Sequence, residues 1–445
     1  MTLQAPAPAA GVLAILADDL TGACDSAVPF ARHGLVTRVL LAPRPVEVGP
    51  GERVDVVAVD ANTRQLSRRV AVPRTVVAAR ALRTPETSRL FKKVDSTLRG
   101  HVGPELRACL RAWDLGLAIL CPAFPATGRW VQGGELFVDR RGSLGMVAAL
   151  AGLPPDSRTG HLGLETLRAG VDAVHEVLVR LAAGGARVVV ADADTPGHLT
   201  TLVEATTRMT DPVLLAGSGG LASALAGWLA QVREADGGSG RGGSQAGATS
   251  AHGPGAADGP PWLVVAGSAT EVTHHQVVEL ERAGAEMVGL DVDELLARPS
   301  LALAAGRRAA TLLQQDVTPV IRLLVSPRTD GVRSRGTRLD ERAARALARA
   351  VRVAVERTTP GGLFLTGGST ARACLLALGV SGLRLEQEPL PGIALGAALG
   401  GVWDGRPVIT KSGGFGAPDA IRRLVRPRSP QRVSLPTAHG APPVA

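Results

Sequence analysis

Short apolar runs alternate along the chain with longer segments whose apolar residues recur at helical spacing. Six apolar runs in the first half predict β-strands: GVLAILA, RVDVVAVD, RLFKKV, LGLAILC, ARVVVAD and DPVLLA. The Ala-, Leu- and Arg-rich segments between them predict helices. Continuous apolar strands separated by helices are typical of a parallel sheet that helices cover on both faces. The first half of the chain is therefore predicted to be an α/β domain.

This alternation stops near residue 235 and resumes after residue 261. Residues 235–261 are rich in Gly, Ser and Pro and have no hydrophobic period, which predicts a flexible linker. Beyond it, PWLVVAGSAT, AEMVGLD, PVIRLLVS, GGLFLT and RPVIT predict the strands of a second domain. We therefore expect an α/β fold with two domains, 1–234 and 262–426, each with a mainly parallel sheet flanked by helices. Residues 427–445 are predicted to be a disordered tail.

The net charge of +9 raises the question of a nucleic-acid partner. The arginines that carry this charge are scattered over the whole chain and do not cluster. The chain has no Tyr, and aromatic residues make up 2% of it, so bases would find almost no stacking surface. Charge and composition together predict that nucleic acid is not a partner.

The cysteines, at positions 24, 109, 121 and 374, follow no CxxC or pairing pattern. This predicts free thiols in a reducing compartment and hence a cytoplasmic protein. The first residues lack the positive charge that begins a signal peptide. No charge-free run reaches the roughly 18 residues of a membrane span, so no membrane association is expected.

Two adjacent carboxylates, Asp18 and Asp19, directly follow the first predicted strand. Like charges side by side repel each other and raise each other's pKa. In open α/β sheets ligands bind at the carboxyl ends of strands, so the pair could act on a ligand there. The alternative is a helix N-cap, because Asp and Thr before a helix are ordinary capping residues. These residues by themselves favour neither interpretation.

The segment KKVDSTLRGHVG places a dense polar cluster at the end of another predicted strand. The cluster consists of Lys92, Lys93, Asp95, Ser96, Thr97 and Arg99. It favours an anionic, hydroxylated ligand, whereas a capping box at Ser96 or Thr97 would explain the hydroxyls but not the lysines. Arg64 follows the second predicted strand and could hold a carboxylate through two hydrogen bonds, or it could be a surface arginine.

Three strand–helix junctions in the second half are rich in glycine and hydroxyl side chains. They contain Ser268; Gly367, Gly368, Ser369 and Thr370; and Lys411, Gly413 and Gly414. Glycine lets the backbone approach phosphate groups, and helix N-termini offer free N–H donors. Together the junctions predict a nucleotide site, which is not a P-loop because the G-x-x-x-x-G-K-[ST] motif is absent.

The stretch GSGGLA, residues 217–222, gives a competing signal, because it fits a dinucleotide-binding fingerprint between a strand and a helix. No second βαβ unit with an acidic strand end follows, so we interpret the stretch as a tight turn whose amides could face an anion. A nicotinamide-dependent dehydrogenase nevertheless stays open as an alternative. The adjacent His274 and His275 have the wrong spacing for one helix face, so no metal-ligand set is identified.

Taken in order, the motifs ADDLTGA, KVDSTLRG, PAFPATGR, GSGGLA, TGGST and KSGGFG resemble the four-carbon acid-sugar kinase family over nearly the whole chain. The resemblance implies that the first domain binds a tetronate-type sugar acid and the second binds ATP in the cleft between them. It implies phosphorylation of the 4-hydroxyl of threonate, erythronate or a 3-oxo-tetronate, with Mg²⁺ bridging the phosphates. The implied substrate-binding residues are Asp18, Arg64, Lys93, Asp95, Ser96 and Thr97. The implied nucleotide-binding residues are Ser268, Gly367, Gly368, Ser369, Thr370, Gly413 and Gly414.

The resemblance also implies a role for each charged residue of the first domain's site. Arg64 or Lys93 would pair with the substrate carboxylate. The catalytic carboxylate would be Asp18 by preference, with Asp19 or Asp95 as the alternatives. A sugar-acid dehydrogenase and a non-catalytic sugar-acid sensor are the competing functions. A homodimer is compatible with the sequence, which specifies neither the assembly nor the stereoisomer of the substrate.

Overall fold

The computed structural model describes residues 11–44, 53–139, 141–153, 158–235, 259–324 and 337–427. Residues 236–258, which form most of the predicted linker, and the predicted tail from residue 428 onward lie outside the described residues. The linker and the tail therefore stay predictions.

The first domain begins with a strand whose residues are all buried, as expected where helices cover both faces of a sheet. Its strands are β1 (Val12–Ala17), β2 (Thr37–Leu40), β3 (Val56–Asp60), β4 (Thr87–Lys93), β5 (Leu117–Cys121), β6 (Arg129–Gln132), β7 (Glu135–Val138), β8 (Gly142–Met146), β9 (Thr159–Leu162), β10 (Val188–Ala191) and β11 (Val213–Gly217). Its helices are α1 (Leu20–Arg32), α2 (Arg68–Ala81), α3 (Val102–Trp113), α4 (Val147–Leu150), α5 (Leu164–Arg168), α6 (Val171–Ala183), α7 (Pro196–Thr207) and α8 (Gly219–Ala235). Six of the strands (β1, β3, β4, β5, β10 and β11) confirm the six predicted from apolar runs.

The second domain repeats the alternation of strands and helices. Its strands are β12 (Leu263–Ala266), β13 (Glu286–Asp291), β14 (Pro319–Leu324), β15 (Leu363–Thr366), β16 (Gly382–Leu390), β17 (Ile393–Leu399) and β18 (Pro407–Lys411). Its helices are α9 (Glu271–Arg282), α10 (Val292–Ala297), α11 (Ser300–Gln314), α12 (Thr337–Arg357), α13 (Gly368–Ala377) and α14 (Ala420–Val425). The predicted strands of this half are confirmed as β12 to β15 and β18, whereas the β16–β17 hairpin was not predicted.

One continuous sheet of fifteen strands runs through both domains in the described part of the chain. Its order is β13-β14-β12-β15-β18-β17-β16-β2-β3-β1-β4-β11-β5-β10-β9. Pairing is parallel in the two outer parts and antiparallel at the centre, where the β16–β17 hairpin joins β18 on one side and β2 on the other. The sequence predicted a sheet in each domain, and main-chain hydrogen bonds between β2 and β16 join the two.

Helix α1 lies between the domains and starts immediately after the paired carboxylates. Every residue from Leu20 to Phe30 is buried. The helix packs against β3 and α8 of the first domain and against β16, β17 and α13 of the second. Such a helix needs protein on all sides. Its position therefore carries Asp18 and Asp19 to the junction of the two domains.

Strands β6, β7 and β8 form a separate antiparallel sheet beside the first domain. Asp192 anchors it, because its carboxylate accepts hydrogen bonds from the amides of Gly133 and Gly134 at 2.7 and 2.9 Å. Phe124, which forms an isolated β-bridge with Arg129 of β6, packs edge to face against Phe415 of the second domain, with ring centroids 6.0 Å apart, and the guanidinium of Arg129 lies 5.1 Å from the centroid of the same ring. This small sheet therefore also touches the second domain.

Within the residues that the structure describes, none of the helices combines the length and the apolar character that crossing a bilayer requires.

Candidate active site in the cleft between the domains

The loops that follow β1 and β3 face the loops that follow β12, β15 and β18 across a cleft of about 320 Å³. The first domain contributes Asp18, Asp19, Thr21, Asn62, Arg64, Gln65 and Arg99 to its walls. The second contributes Gly267, Ser268, Ala269, Thr270, Val292, Leu323, Ala343, Ala344, Gly367, Gly368, Ser369, Thr370, Ser412, Gly413 and Gly414. The structure thus brings Asp18, Asp19 and Arg64 to the same cleft as the predicted nucleotide-binding residues, at strand ends where α/β folds bind ligands.

Arg64 holds the two adjacent carboxylates together. Its Nε and Nη2 donate to the two oxygens of Asp18 at 2.9 and 2.7 Å, which is a bidentate pair. Its Nη1 donates to Oδ2 of Asp19 at 2.6 Å. The guanidinium cation between the carboxylates offsets the repulsion that their adjacency in sequence creates.

This arrangement keeps Asp18 ionised. Burial by itself would raise the pKa of Asp18, but the charge and hydrogen bonds of Arg64 outweigh it and hold that pKa below its ordinary value. Burial would likewise lower the pKa of Arg64, but Asp18 and Asp19 raise it well above the ordinary value. The cleft therefore presents a carboxylate that accepts hydrogen bonds.

Asp19 is the helix cap that the sequence suggested. Its side chain accepts hydrogen bonds from the amide of Gly22 and the hydroxyl of Thr21, both at 2.9 Å, at the N-terminus of α1. A Cβ placed on Gly368 would lie 2.6 Å from Oδ2 of Asp19. The N-terminus of α13 therefore reaches across the domain boundary to this carboxylate, and glycine permits that close approach. The capping interpretation therefore applies to Asp19, and the functional interpretation stays open for Asp18, which does not cap the helix.

The lysines expected near the substrate are buried away from the cleft. Lys93 donates to the carbonyl of Val94 at 2.9 Å, and its Nζ lies 3.4 Å from Oδ1 of Asp25. Burial raises the pKa of Asp25 to about 7 in spite of the Lys93 charge. Lys92 forms a buried ion pair with Glu105 at 2.9 Å. Neither lysine lines the cleft, so Lys93 is not positioned to contact a substrate bound there.

Asp95 lies behind the cleft wall, where it holds two arginines. It accepts hydrogen bonds from Arg99 at 2.6 and 3.0 Å, and one of its oxygens is 3.7 Å from Nη1 of Arg64. The amide and hydroxyl of Thr97 also donate to it, at 3.0 and 2.5 Å. Burial would raise the pKa of Asp95, but the two arginines and Thr97 hold it well below its usual range. Asp95, Ser96 and Thr97 do not line the cleft, whereas Arg99 does.

In the second domain, every residue predicted to bind nucleotide lines the cleft. Thr270 caps α9 by accepting a hydrogen bond from the amide of Thr273 at 3.3 Å. No side chain caps α13, which begins at Gly368 after a left-handed residue, Gly367, with φ of +99°. Its first amides are therefore free to bind an anion, as helix N-termini commonly do.

Several lining residues were not predicted. Asn62 could have been found, because it lies two residues beyond the end of β3. Its φ of +49° is stabilised by the hydrogen bond from its amide to Asp60 at 2.7 Å. The apolar part of the wall comes from three separate elements and has no local sequence signal. Its residues are Val292, Leu323, Ala343 and Ala344.

The GSGGLA stretch serves packing. Ser218 donates to the carbonyl of Ala123 at 2.7 Å, and both glycines that follow it are buried. A Cβ on Gly220 would lie 2.6 Å from the same carbonyl oxygen, so glycine permits α8 to begin against this backbone. The tight strand-to-helix turn is the interpretation that these contacts support.

A buried ion pair crosses the domain boundary near the cleft. Nη1 of Arg372, on α13, lies 2.8 Å from Oδ2 of Asp60, which ends β3 and is wholly buried. Burial raises the pKa of Asp60 to about 6, although Arg372 opposes that rise. Arg372 also donates to the carbonyl of Leu41. These contacts fix α13, and with it Gly368, against the first domain.

Replacing Arg372 with methionine is expected to lower the free energy of unfolding by about 3–5 kcal/mol, because Asp60 would be left as a buried, unpaired carboxylate. The matched control is Arg345→Met, which breaks an exposed ion pair with Glu341 within α12 and is expected to change stability by less than about 0.5 kcal/mol. Denaturant unfolding of both variants measures the difference. Equal effects of the two substitutions would contradict the importance of this contact.

Comparison with known proteins follows the same division of the chain. Residues 13–151 and 153–225 match the family model described as a sugar-binding N-terminal domain, and residues 263–421 match the one described as a nucleotide-binding C-terminal domain. The chain is 36% identical over 436 residues to a D-threonate kinase of Cupriavidus necator, covering 92% of this chain and 95% of that protein. The chain belongs to the four-carbon acid-sugar kinase family. Members of this family are kinases of sugar acids, and so is this protein.

Other members of the four-carbon acid-sugar kinase family extend the comparison. A D-threonate kinase of Bordetella bronchiseptica is 33% identical, covering 93% of this chain and 96% of that protein. A 3-oxo-tetronate kinase of Cupriavidus necator is 29% identical, with coverages of 93% and 96%. A solved structure from Salmonella typhimurium LT2 aligns with a TM-score of 0.73 at 24% identity, covering 94% of this chain and 99% of the other, and shows the same fold.

Proposed function

We propose that the protein transfers the γ-phosphoryl group of ATP to the 4-hydroxyl of a four-carbon sugar acid, and that D-threonate is its substrate. The observation that carries this proposal is the cleft, in which the carboxylate–arginine cluster of the first domain faces the glycine junctions of the second. The relatives at 36% and 33% identity are D-threonate kinases, which favours D-threonate over D-erythronate and the 3-oxo-tetronates.

The second-domain side of the cleft fits a nucleotide. The uncapped start of α13 and the loop containing Gly413 and Gly414 offer backbone N–H groups for the phosphates. The apolar wall formed by α10, β14 and α12 offers a surface for the base. Ser268, Ser369 and Thr370 add hydroxyl groups to the lining of the cleft, which could bind ribose or phosphate oxygens.

The first-domain side fits a hydroxylated carboxylic acid. Arg64 has five N–H groups, and the hydrogen bonds to Asp18 and Asp19 use three of them, so donors are left for a substrate carboxylate. Arg99 uses Nε and Nη2 on Asp95, which leaves its Nη1 for the same purpose. We therefore propose that Arg64 and Arg99, and not Lys93, bind the carboxylate directly, and that Asp95 positions both arginines.

We propose that Asp18 acts on the sugar hydroxyl. As an ionised carboxylate at the cleft surface, it would accept a hydrogen bond from the 4-hydroxyl, orient it and take its proton during transfer. Mg²⁺ typically binds nucleotide phosphates together with one or two carboxylates, and Asp18 and Asp19 are the pair that the cleft offers. The described residues contain no cluster of three or more His, Cys, Asp or Glu side chains that could hold a metal on its own.

Steady-state assays of ADP release from ATP and Mg²⁺, with D-threonate, L-threonate, D-erythronate and 3-oxo-tetronates as acceptors, test this proposal. We expect D-threonate to give the highest kcat/KM and ³¹P NMR of its product to place the phosphoryl group on O4. ADP release with none of these acids would overturn the proposed function. Phosphorylation at another hydroxyl, or a preference for another acid, would overturn the position or the substrate.

A further inference from the structure

Lys411 is wholly buried at the end of β18, directly before the glycine loop of the cleft. Its ammonium group donates hydrogen bonds to three carbonyls of that loop, those of Ser412, Gly413 and Phe415, at 2.8, 3.4 and 3.0 Å. It forms no ion pair with a carboxylate of the described residues, unlike the other two lysines of the chain. A buried cation is thus held by the backbone of one loop.

Side chains of α9 and its N-cap share two of these carbonyls and bind two more within residues 412–417, the glycine loop. The hydroxyls of Thr270 and Thr273 donate to the carbonyl of Gly413 at 2.7 and 2.9 Å. The amide of Gln276 donates to the carbonyls of Phe415, Gly416 and Ala417 at 3.0, 3.1 and 2.9 Å. Lys411 and α9 with its cap together therefore bind the carbonyls of this loop except that of Gly414, which accepts from Arg129.

This leaves the N–H side of the loop for the cleft. The amides of Gly413 and Gly414 donate to no acceptor among the described residues, and both glycines line the cleft. Successive backbone N–H groups that point to one side form an anion-binding nest. The positive charge of Lys411, on the other side of the same peptide units, would attract an anion that binds in that nest.

We propose that Lys411 is a positioning residue for the nucleotide: it fixes the glycine loop with its amides toward the cleft and supplies a buried charge that favours the nucleotide phosphates. This inference rests on the proposed function, because it requires a nucleotide in this part of the cleft. It assigns a specific role to one of only three lysines in a chain where arginine fills nearly every other basic position.

The environment of Lys411 also couples nucleotide binding to pH. Burial lowers the pKa of Lys411 to about 7, and no charged group of the described residues adds to this shift. The residues around it, Thr273 and Gln276 on α9, Thr366 on β15 and Ile393 on β17, are uncharged. Across the loop, Arg129 donates to the carbonyl of Gly414 at 3.5 Å. A bound polyphosphate would favour the charged ammonium, so the nucleotide should bind together with a proton above pH 7.

Calorimetric titration of the full-length protein with ADP tests the positioning role. Lys411→Met keeps the length of the side chain but removes its donors and charge, and we expect its Kd for ADP to rise about 10- to 100-fold at pH 7. The Kd for D-threonate should change less than about twofold. The control is the double variant Lys92→Met, Glu105→Gln, which removes an equally buried lysine together with its partner and should leave the ADP affinity unchanged.

The pH profile of the wild-type protein gives a second measurement that needs no variant. The phosphates of ADP are fully ionised above about pH 7.5, because the second pKa of a phosphomonoester is about 6. We expect the Kd to rise about tenfold per pH unit from there, and the rise to be absent in Lys411→Met. A wild-type protein that binds ADP with a flat profile, or a folded Lys411→Met variant with wild-type affinity, would overturn this inference alone. A wild-type protein that binds neither ADP nor ATP would overturn the proposed function, and this inference with it.

Discussion

Replacing Asp18 with asparagine is expected to lower the kcat of sugar-acid phosphorylation by about 10²–10⁴-fold, as for loss of a general base. Asp18 lies at the cleft surface, stays ionised beside Arg64 and is not the cap of α1. Asparagine preserves the size of the side chain and one acceptor oxygen for the guanidinium, but it cannot take a proton. The fold should therefore persist while turnover falls.

Steady-state kinetics and thermal melting of the Asp18→Asn variant, with ATP and the best acid of the panel, measure this effect. The matched control is Asp19→Asn, because asparagine is an equally good N-cap and the change again removes one negative charge beside Arg64. This change also weakens the proposed Mg²⁺ site, so we expect its kcat to fall, but less than that of Asp18→Asn, which loses the group that takes the proton. A folded Asp18→Asn enzyme with wild-type kcat would exclude Asp18 from the chemistry and move the assignment to Asp19.

Replacing Gly414 with valine is expected to weaken ATP and ADP binding by at least about 100-fold. A Cβ built on Gly414 meets no protein atom within 4 Å, so the new side chain would occupy open space in the cleft without disturbing the loop. The proposed phosphate site requires that space for the close approach of the nucleotide to the backbone. Gly368→Val would be a poorer test, because its Cβ would clash with Asp19.

Calorimetry with ADP and with D-threonate separates a nucleotide effect from a general one. The variant should keep the wild-type Kd for D-threonate, because Gly414 belongs to the opposite wall from Arg64. Gly227→Val, on α8, is the matched control, since its Cβ also meets nothing within 4 Å and Gly227 does not line the cleft. Unchanged ADP affinity in a folded Gly414→Val variant would move the phosphate site elsewhere.

Much of the candidate site could be predicted because strand ends carry strong local signals. An apolar run followed by Asp18 and Asp19, or by Gly367 and Gly368, marks the end of a strand, and ligands bind there in α/β sheets. The contacts made by charged side chains could not be predicted in this way. Lys93 ends one apolar strand and Arg64 follows another, yet Lys93 is buried beside Asp25 and Arg64 lies in the cleft. Whether a charged side chain at a strand end is buried or lines the cleft depends on the elements that pack against that strand end. Local sequence patterns do not show which elements those are.

The sequence by itself determined the alternation of strands and helices, because hydrophobic periodicity is a local property of each segment. Tertiary structure alone decided how the two halves meet. Strand β2 and the β16–β17 hairpin are short segments far apart in the chain, and their pairing makes two predicted sheets into one. The same packing buries α1 between the domains and places Asp19 against Gly368. Main-chain hydrogen bonds between strands depend little on side-chain identity, so no pattern in either segment specifies its distant partner. The pairing is instead specified by the burial of apolar surface when the two domains pack together.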